Sequence, residues 1–200
     1  IQPIARLAAM AHARGALFHT DAVQALGHIP LTLKDTDIDF LSGSAHKFHG
    51  PKGVGILFAR RGIELESLIF GGEQERGKRA GTENVPGIVG MAAALEEAIR
   101  NLEANASRMA AARDALEQQL LTLPGTRVHS GQVPRLPGHL NMAFDGVPAE
   151  ALLPVLGMAG ICVSAGSACA SGSPEPSHVL LALGCTPEEA RCSLRFSLGD

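Results

Sequence analysis

Along the 200 residues, apolar positions gather in helical stripes and in short runs that glycine and proline separate. Pro3 followed by Ile4, Leu7, Ala8 and Ala11, and closed by Gly15, predicts a helix with proline in its first turn and glycine past its end. Three compact apolar runs come next, Ala16 to His19, Ile38 to Leu41 and Val54 to Phe58. Each is too short for a helix and is bounded by turn formers, so together they predict buried strands of one sheet. Between Arg60 and Asn84 the pattern dissolves into a loop of glycine and charge, centred on Gly71-Gly72-Glu73-Gln74-Glu75-Arg76-Gly77-Lys78-Arg79. Pro86 to about Leu121 is nearly continuous Ala, Leu, Glu, Arg and Met, which predicts one long helix or two abutting ones. Beyond it the pattern gives strands at Arg127 to Ser130 and Leu140 to Phe144, a helix at Ala149 to Leu156 and a strand at Ile161 to Ser164. A loop from Ala165 to Pro176, a helix from Ser177 to about Leu183 and a final strand at Leu194 to Leu198 complete the chain. There are no repeats and no low-complexity tract.

This alternation predicts an α/β chain in two parts, residues 1–96 and 97–200, the second carrying the loop 165–176. Polar residues leave the ends of the first strands, where open α/β sheets bind ligands.

Composition narrows the possibilities. With 46% hydrophobic and 18% charged residues the chain buries a core. Seventeen Lys and Arg against twenty Asp and Glu give a net charge of -3, without the basic field that nucleic acid or an anionic membrane attracts. The longest apolar stretches, such as Ala151 to Cys162, are interrupted by proline and glycine and are too short to span a bilayer. No secretory or transit segment opens the chain. Its first residues, Ile1-Gln2-Pro3, and its stop at Gly199-Asp200 straight after a strand-like run read as a piece of something longer.

Cys162, Cys169, Cys185 and Cys192 stand 7, 16 and 7 residues apart, which matches neither a paired zinc motif nor a secreted disulfide framework. They read as free thiols of a reducing cytoplasm, with no intrinsic metal site, and Cys162, Cys185 and Cys192 as small buried hydrophobes.

Candidate chemistry begins at Ser44-Ala45-His46-Lys47, which follows the run Ile38 to Leu41 and precedes His49-Gly50-Pro51-Lys52-Gly53. Taken alone, a lysine in such a loop is a solvated charge. At the end of a buried strand it becomes a candidate amine nucleophile, because a lysine is useful at neutral pH only when desolvated or bound as an imine. Asp21 ends the run Ala16 to His19, and Gln24 follows three residues on. Pyridoxal phosphate (PLP) chemistry needs a carboxylate against the pyridine nitrogen and benefits from a donor at the ring phenolate, and these two strand ends offer both beside the amine. Small residues surround one thiol in Ser164-Ala165-Gly166-Ser167-Ala168-Cys169-Ala170-Ser171-Gly172, a composition that cannot pack a core and predicts a mobile loop. Arg195 alternates with apolar neighbours in Cys192-Ser193-Leu194-Arg195-Phe196-Ser197-Leu198-Gly199. Its guanidinium then points inward, where a ligand carboxylate offsets the cost of burial.

His19-Thr20-Asp21-Ala22-Val23-Gln24, Ser44 to Gly53, and Arg79-Ala80-Gly81-Thr82-Glu83-Asn84 together resemble the cysteine desulfurases of the nitrogen-fixation type, PLP enzymes related to the class-V aminotransferases. The resemblance runs across nearly all of the chain. It implies PLP-dependent transferase fold type I, like aspartate aminotransferase. The chain then holds the second half of the large PLP-binding domain (1–96) and most of the small α/β domain (97–200), whose closing helices are absent. By resemblance Lys47 carries the cofactor as an imine, Asp21 pairs with the pyridinium nitrogen and Gln24 bonds the phenolate oxygen. Ser44, Ala45 and His46 line the cofactor, with Ser44 and His46 on its phosphate, and His46 also serves as acid or base for the substrate thiol. Thr82 reaches the phosphate of the opposite subunit, which implies a homodimer. Arg195 holds the carboxylate of L-cysteine, and Cys169 takes up its sulfur as a persulfide, leaving alanine.

The implied partners are an iron-sulfur scaffold, with which Cys169 can share a cluster, or another sulfur-acceptor protein. Other readings are a selenocysteine lyase, another PLP enzyme of fold type I, or an inactive truncated remnant that only binds sulfur acceptors. The expected partial large domain predicts poor PLP binding, little turnover and exposed apolar surface for this chain alone.

Overall fold

Helix α1, Ile4–His12, forms where the apolar stripe places it, with Ile4 and the fully buried Ala8 facing inward. The structure is a computed structural model and describes residues 1–34, 36–166 and 175–199. It divides into two compact units, Gln2–Glu103 and Ala104–Asp200, the latter together with Ile1.

In the first unit, β1, His19–Asp21, pairs in parallel with β2, Phe40–Ser44, and β3, Gly55–Ala59, adds to β2 in the antiparallel sense. Three strands in one sheet match the sequence reading, but two of them start later than the apolar runs 16–19 and 38–41. The buried carboxylate of Asp39 explains the shift: its Oδ2 accepts the backbone N–H of Phe18 at 2.7 Å and lies 2.7 Å from His12 Nε2. This side chain occupies a backbone donor that the expected strand would have given to the ladder. Pairing then begins at His19↔Phe40 and continues to Asp21↔Ser42. Along β2 burial alternates, with Leu41 and Gly43 inside and Ser42 and Ser44 half-exposed, so it is an amphipathic strand rather than a uniformly buried one.

Ala22, Ile38 and Leu41 form the core of this unit, with Ile4, Phe18, Leu26 and Phe58 packed around them. Arg60 clasps the approach to β2 from the side, its Nε donating to Ile38 O at 3.0 Å and its Nη2 to the same carbonyl at 2.8 Å. A 3-10 turn, Ala45–Phe48, leaves the end of β2 and packs on α2, Val85–Arg100. The cap of α2 is Asn84, whose Oδ1 accepts Gly87 N–H at 3.1 Å, with Pro86 in the first turn. The long helical run resolves into two helices, because Asn101 leaves the helical conformation between α2 and α3, Leu102–Leu120.

In the second unit β4, Thr126–Val128, β5, His139–Phe144, and β6, Ser193–Ser197, form an antiparallel sheet in that order. Leu140, Met142, Ala143 and Leu194 are buried in it. Helices α4, Ala149–Met158, α5, His178–Ala182, and α6, Pro187–Arg191, precede β6.

Three corrections belong here. Residues 161–164 do not form a strand: Ser164 alone bridges to Arg195, and Ile161 stays half-exposed because the run lies outside the ladder. For the same reason Cys162 is exposed rather than buried, whereas Cys192 is buried and Cys185 half-buried. The sequence reading also missed α6, a five-residue helix with no apolar stripe of its own. Its signal was a capping box: Thr186 Oγ1 accepts Glu189 N–H at 3.2 Å, and Glu189 Oε2 accepts Thr186 N–H at 2.7 Å.

Candidate active site

Parallel pairing brings the two candidate strand ends side by side, with Asp21 opposite Ser42 and the turn of Lys47 starting just beyond Ser44. Asp21 Oδ1 accepts the backbone N–H of Val23 at 2.8 Å, which turns the chain back after β1. Among the described residues its other oxygen has no hydrogen-bond partner, and both Asp21 and Gln24 are exposed.

The 3-10 geometry dictates how Lys47 is presented. Three residues per turn put Ala45 and Phe48 on one side, and both are buried against Met91, Leu95 and Ala98 of α2. That leaves His46 exposed and Lys47 half-buried between two anchored neighbours. Two residues that sequence reasoning missed tighten the grip. His28 Nε2 lies 2.8 Å from the carbonyl of Lys47, and Gly27 backs directly onto Phe48. Neither has a signal in the hydrophobic pattern, since both lie in an irregular turn after β1.

Among the described residues the side chains of Gln24, Ser44, His46, Lys47 and Thr82 make no hydrogen bond or ion pair with protein groups. A half-buried amine without a carboxylate partner, an exposed carboxylate, an amide, a hydroxyl and an imidazole at the carboxyl ends of two parallel strands suit an anionic aldehyde cofactor such as PLP. Thr82 is exposed and follows the 3-10 segment Gln74–Gly77.

Arg195 lies in the second unit. Its position in β6 pairs with Asn141 in β5, and its Nε is buried without a hydrogen-bond partner, as is Asn141 Oδ1. An unmet buried guanidinium donor costs about 1–3 kcal/mol and invites an anionic ligand. Asn141 was absent from the sequence reading, although the alternation of β5 places it on the same face as Arg195. The backbone of Arg195 also roots the loop that follows: Arg195 N–H donates to Ser164 O at 2.6 Å, and Ser164 N–H donates to Arg195 O at 3.1 Å. Cys169, and with it 167–174 of the expected loop 165–176, lies outside the described residues.

The Asp39 carboxyl is held below its ordinary range by the His12 hydrogen bond and then the Phe18 N–H, and that of Glu189 by the Thr186 backbone N–H. Both serve the scaffold. Among the described residues no group of three or more His, Cys, Asp or Glu is placed to hold a metal ion, and no helix is long and apolar enough to cross a membrane.

The family described as Aminotransferase class-V matches residues 1–199. A cysteine desulfurase of Rhodobacter capsulatus is 53% identical over 196 residues, covering 98% of this chain and 51% of that protein. One from Klebsiella pneumoniae is 51% identical over 197 residues, covering 98% of this chain and 49% of that protein. Among solved structures, a NifS-like protein from Rickettsia africae superposes with a TM-score of 0.91 at 33% identity, covering all of this chain and 52% of that one. SspA in complex with cysteine superposes with a TM-score of 0.80 at 33% identity, covering all of this chain and 55% of that one. The chain spans about half the length of the curated relatives it matches.

Proposed function

The chain belongs to the class-V aminotransferase family, and from that membership we propose that it is half of a PLP-dependent cysteine desulfurase. The observation that carries the reading is the parallel pairing of β1 with β2, which sets Asp21 beside the strand that delivers the uncommitted amine of Lys47.

PLP, when bound, supplies an aldehyde carbon that condenses with amines and a pyridinium ring that withdraws electrons. Lys47 anchors it and, once released, takes the alpha proton of the substrate. Asp21 keeps a proton on the ring nitrogen, and Gln24 donates to the phenolate oxygen. Ser44 and His46 hold the phosphate, Ala45 lines the cofactor, and Thr82 reaches the phosphate of a second subunit. His46 also exchanges a proton with the substrate thiol. The carboxylate of L-cysteine meets the orphaned guanidinium of Arg195, which fixes the substrate's orientation.

Cys169 attacks the substrate sulfur. The carbon–sulfur bond breaks with its electron pair going to carbon, which takes a proton and leaves as alanine, while a sulfur–sulfur bond forms on Cys169. The resulting persulfide passes to an iron-sulfur scaffold or another sulfur acceptor. A homodimer in the cytoplasm suits this reading, and the exposed Leu68, Ile69 and Phe70 beside the Thr82 segment offer apolar surface for a second subunit.

The test uses a protein extended to the relatives' full length. Cys169→Ser should keep the cofactor absorbance and abolish persulfide and sulfide formation. Lys47→Ala should remove the borohydride-reducible adduct. Normal turnover in the first variant, or a persistent trapped adduct in the second, would overturn the assignment. The 200-residue chain measured alongside should show much lower specific activity.

A further inference from the structure

Away from the residues assigned above, Cys185, His129 and Ser193 meet in the second unit as one hydrogen-bonded row. Cys185 follows α5, His129 follows β4 and Ser193 opens β6. The thiol sulfur lies 3.7 Å from His129 Nδ1, and the other ring nitrogen, Nε2, lies 3.0 Å from Ser193 Oγ. Ser193 is fully buried and donates its hydroxyl proton to the carbonyl of Glu189 at 2.7 Å. That bond fixes the protons along the row. With its own hydrogen committed to a group that only accepts, Ser193 Oγ must accept from the ring, so Nε2 carries the ring proton and Nδ1 turns a lone pair toward the thiol. Burial, with the Arg127 charge adding to it and the Glu189 carboxylate opposing it, holds His129 below the ordinary histidine range, which favours the neutral ring. A nucleophile next to a base that a third group orients is the arrangement that activates side-chain nucleophiles.

We propose that Cys185 is a second sulfur-carrying thiol, a base-assisted nucleophile that accepts sulfane sulfur from a persulfide. In the step, Cys185 gives its proton to His129 Nδ1 and attacks the outer sulfur of a donor R–S–SH. The donor's sulfur–sulfur bond breaks, its electron pair leaves on the inner sulfur, and that thiolate takes the proton back from Nδ1. Cys185 becomes the persulfide, R–SH departs, and nothing is oxidised overall. The desulfurase reading would supply such a donor within the same protein, but the step needs only a persulfide and stands or falls separately from that reading. It also separates Cys185 from two other thiols: Cys162 is more exposed and makes no hydrogen bond among the described residues, and Cys192 is buried.

The experiment treats the chain, in a Cys169→Ser background, with glutathione persulfide, blocks with an alkylating agent and maps each cysteine by mass spectrometry over time. Cys185 should gain a sulfur atom roughly a hundredfold faster than Cys162, the low end of what a positioned base contributes. Exposure alone predicts the opposite order. His129→Gln should slow Cys185 by about the same factor and leave Cys162 unchanged. Ser193→Ala, which keeps the base and frees its tautomer, should slow Cys185 by less. Labelling of Cys185 no faster than Cys162, or a Cys185 rate unaffected in a folded His129→Gln protein, would overturn the proposal.

Discussion

Gly27 is a position where a single methyl group should disturb the presentation of Lys47. Its φ is +78°, and a Cβ added there would stand 2.8 Å from Phe48 Cβ and 3.1 Å from Ala98 Cβ. Phe48 belongs to the 3-10 turn and Ala98 to α2, so the new atom would wedge apart the packing that holds the turn. Two costs add in Gly27→Ala. The left-handed backbone costs about 1–2 kcal/mol for a residue with a Cβ. The overlap costs about 1–3 kcal/mol, since neither contacting atom is the far end of a flexible chain. Gly53 provides the control: its φ is +80° and nothing lies within 4 Å of its would-be Cβ, so Gly53→Ala bears only the backbone cost. Urea denaturation followed by far-ultraviolet circular dichroism should therefore show Gly27→Ala less stable than Gly53→Ala by about 1–3 kcal/mol. Amide exchange in the turn should rise in the first variant alone. Equal losses in the two variants would refute the claim that close packing of Phe48 fixes the lysine turn.

Two further outcomes are expected. Because His12 and the Phe18 N–H lower the Asp39 carboxyl in the folded state, its ionised form stabilises the chain above the ordinary value of 3.8, and that contribution is lost as pH falls through the folded value. Urea midpoints measured between about pH 5 and pH 2 should fall less steeply for Asp39→Asn than for the parent chain, and identical slopes would refute the linkage. Arg195→Lys in the full-length protein keeps the charge but loses the planar fork and the buried Nε donor. KM for cysteine should rise roughly tenfold or more while the cofactor absorbance is unchanged, and an unaltered KM would remove Arg195 from carboxylate binding.

The helices of the first unit and the membership of its three strands in one sheet were legible because apolar periodicity and turn residues agree there. Strand limits were not, since Asp39 is a charged residue that the fold buries and uses as a backbone cap, and residue type does not announce that role. Asp21 and Lys47 could be singled out from strand-end position and chemistry. The supports of Lys47 could not: His28 acts through a contact with a backbone carbonyl, and Gly27 through the absence of a side chain. The His129 row was invisible for a related reason. Its members lie 56 and 64 residues apart in the chain, and only the antiparallel sheet with its flanking helices brings them together.

The double backbone tie between Ser164 and Arg195 has an evolutionary corollary. A reach that starts from a fixed mooring can be lengthened or shortened beyond that point without rotating the guanidinium, and each doubling of a flexible segment costs only about 0.6 kcal/mol in closure. One residue inserted inside β6 instead would turn every side chain beyond it to the opposite face. Chain length beyond Ser164 can therefore vary while Arg195 keeps its place opposite Asn141 in the sheet.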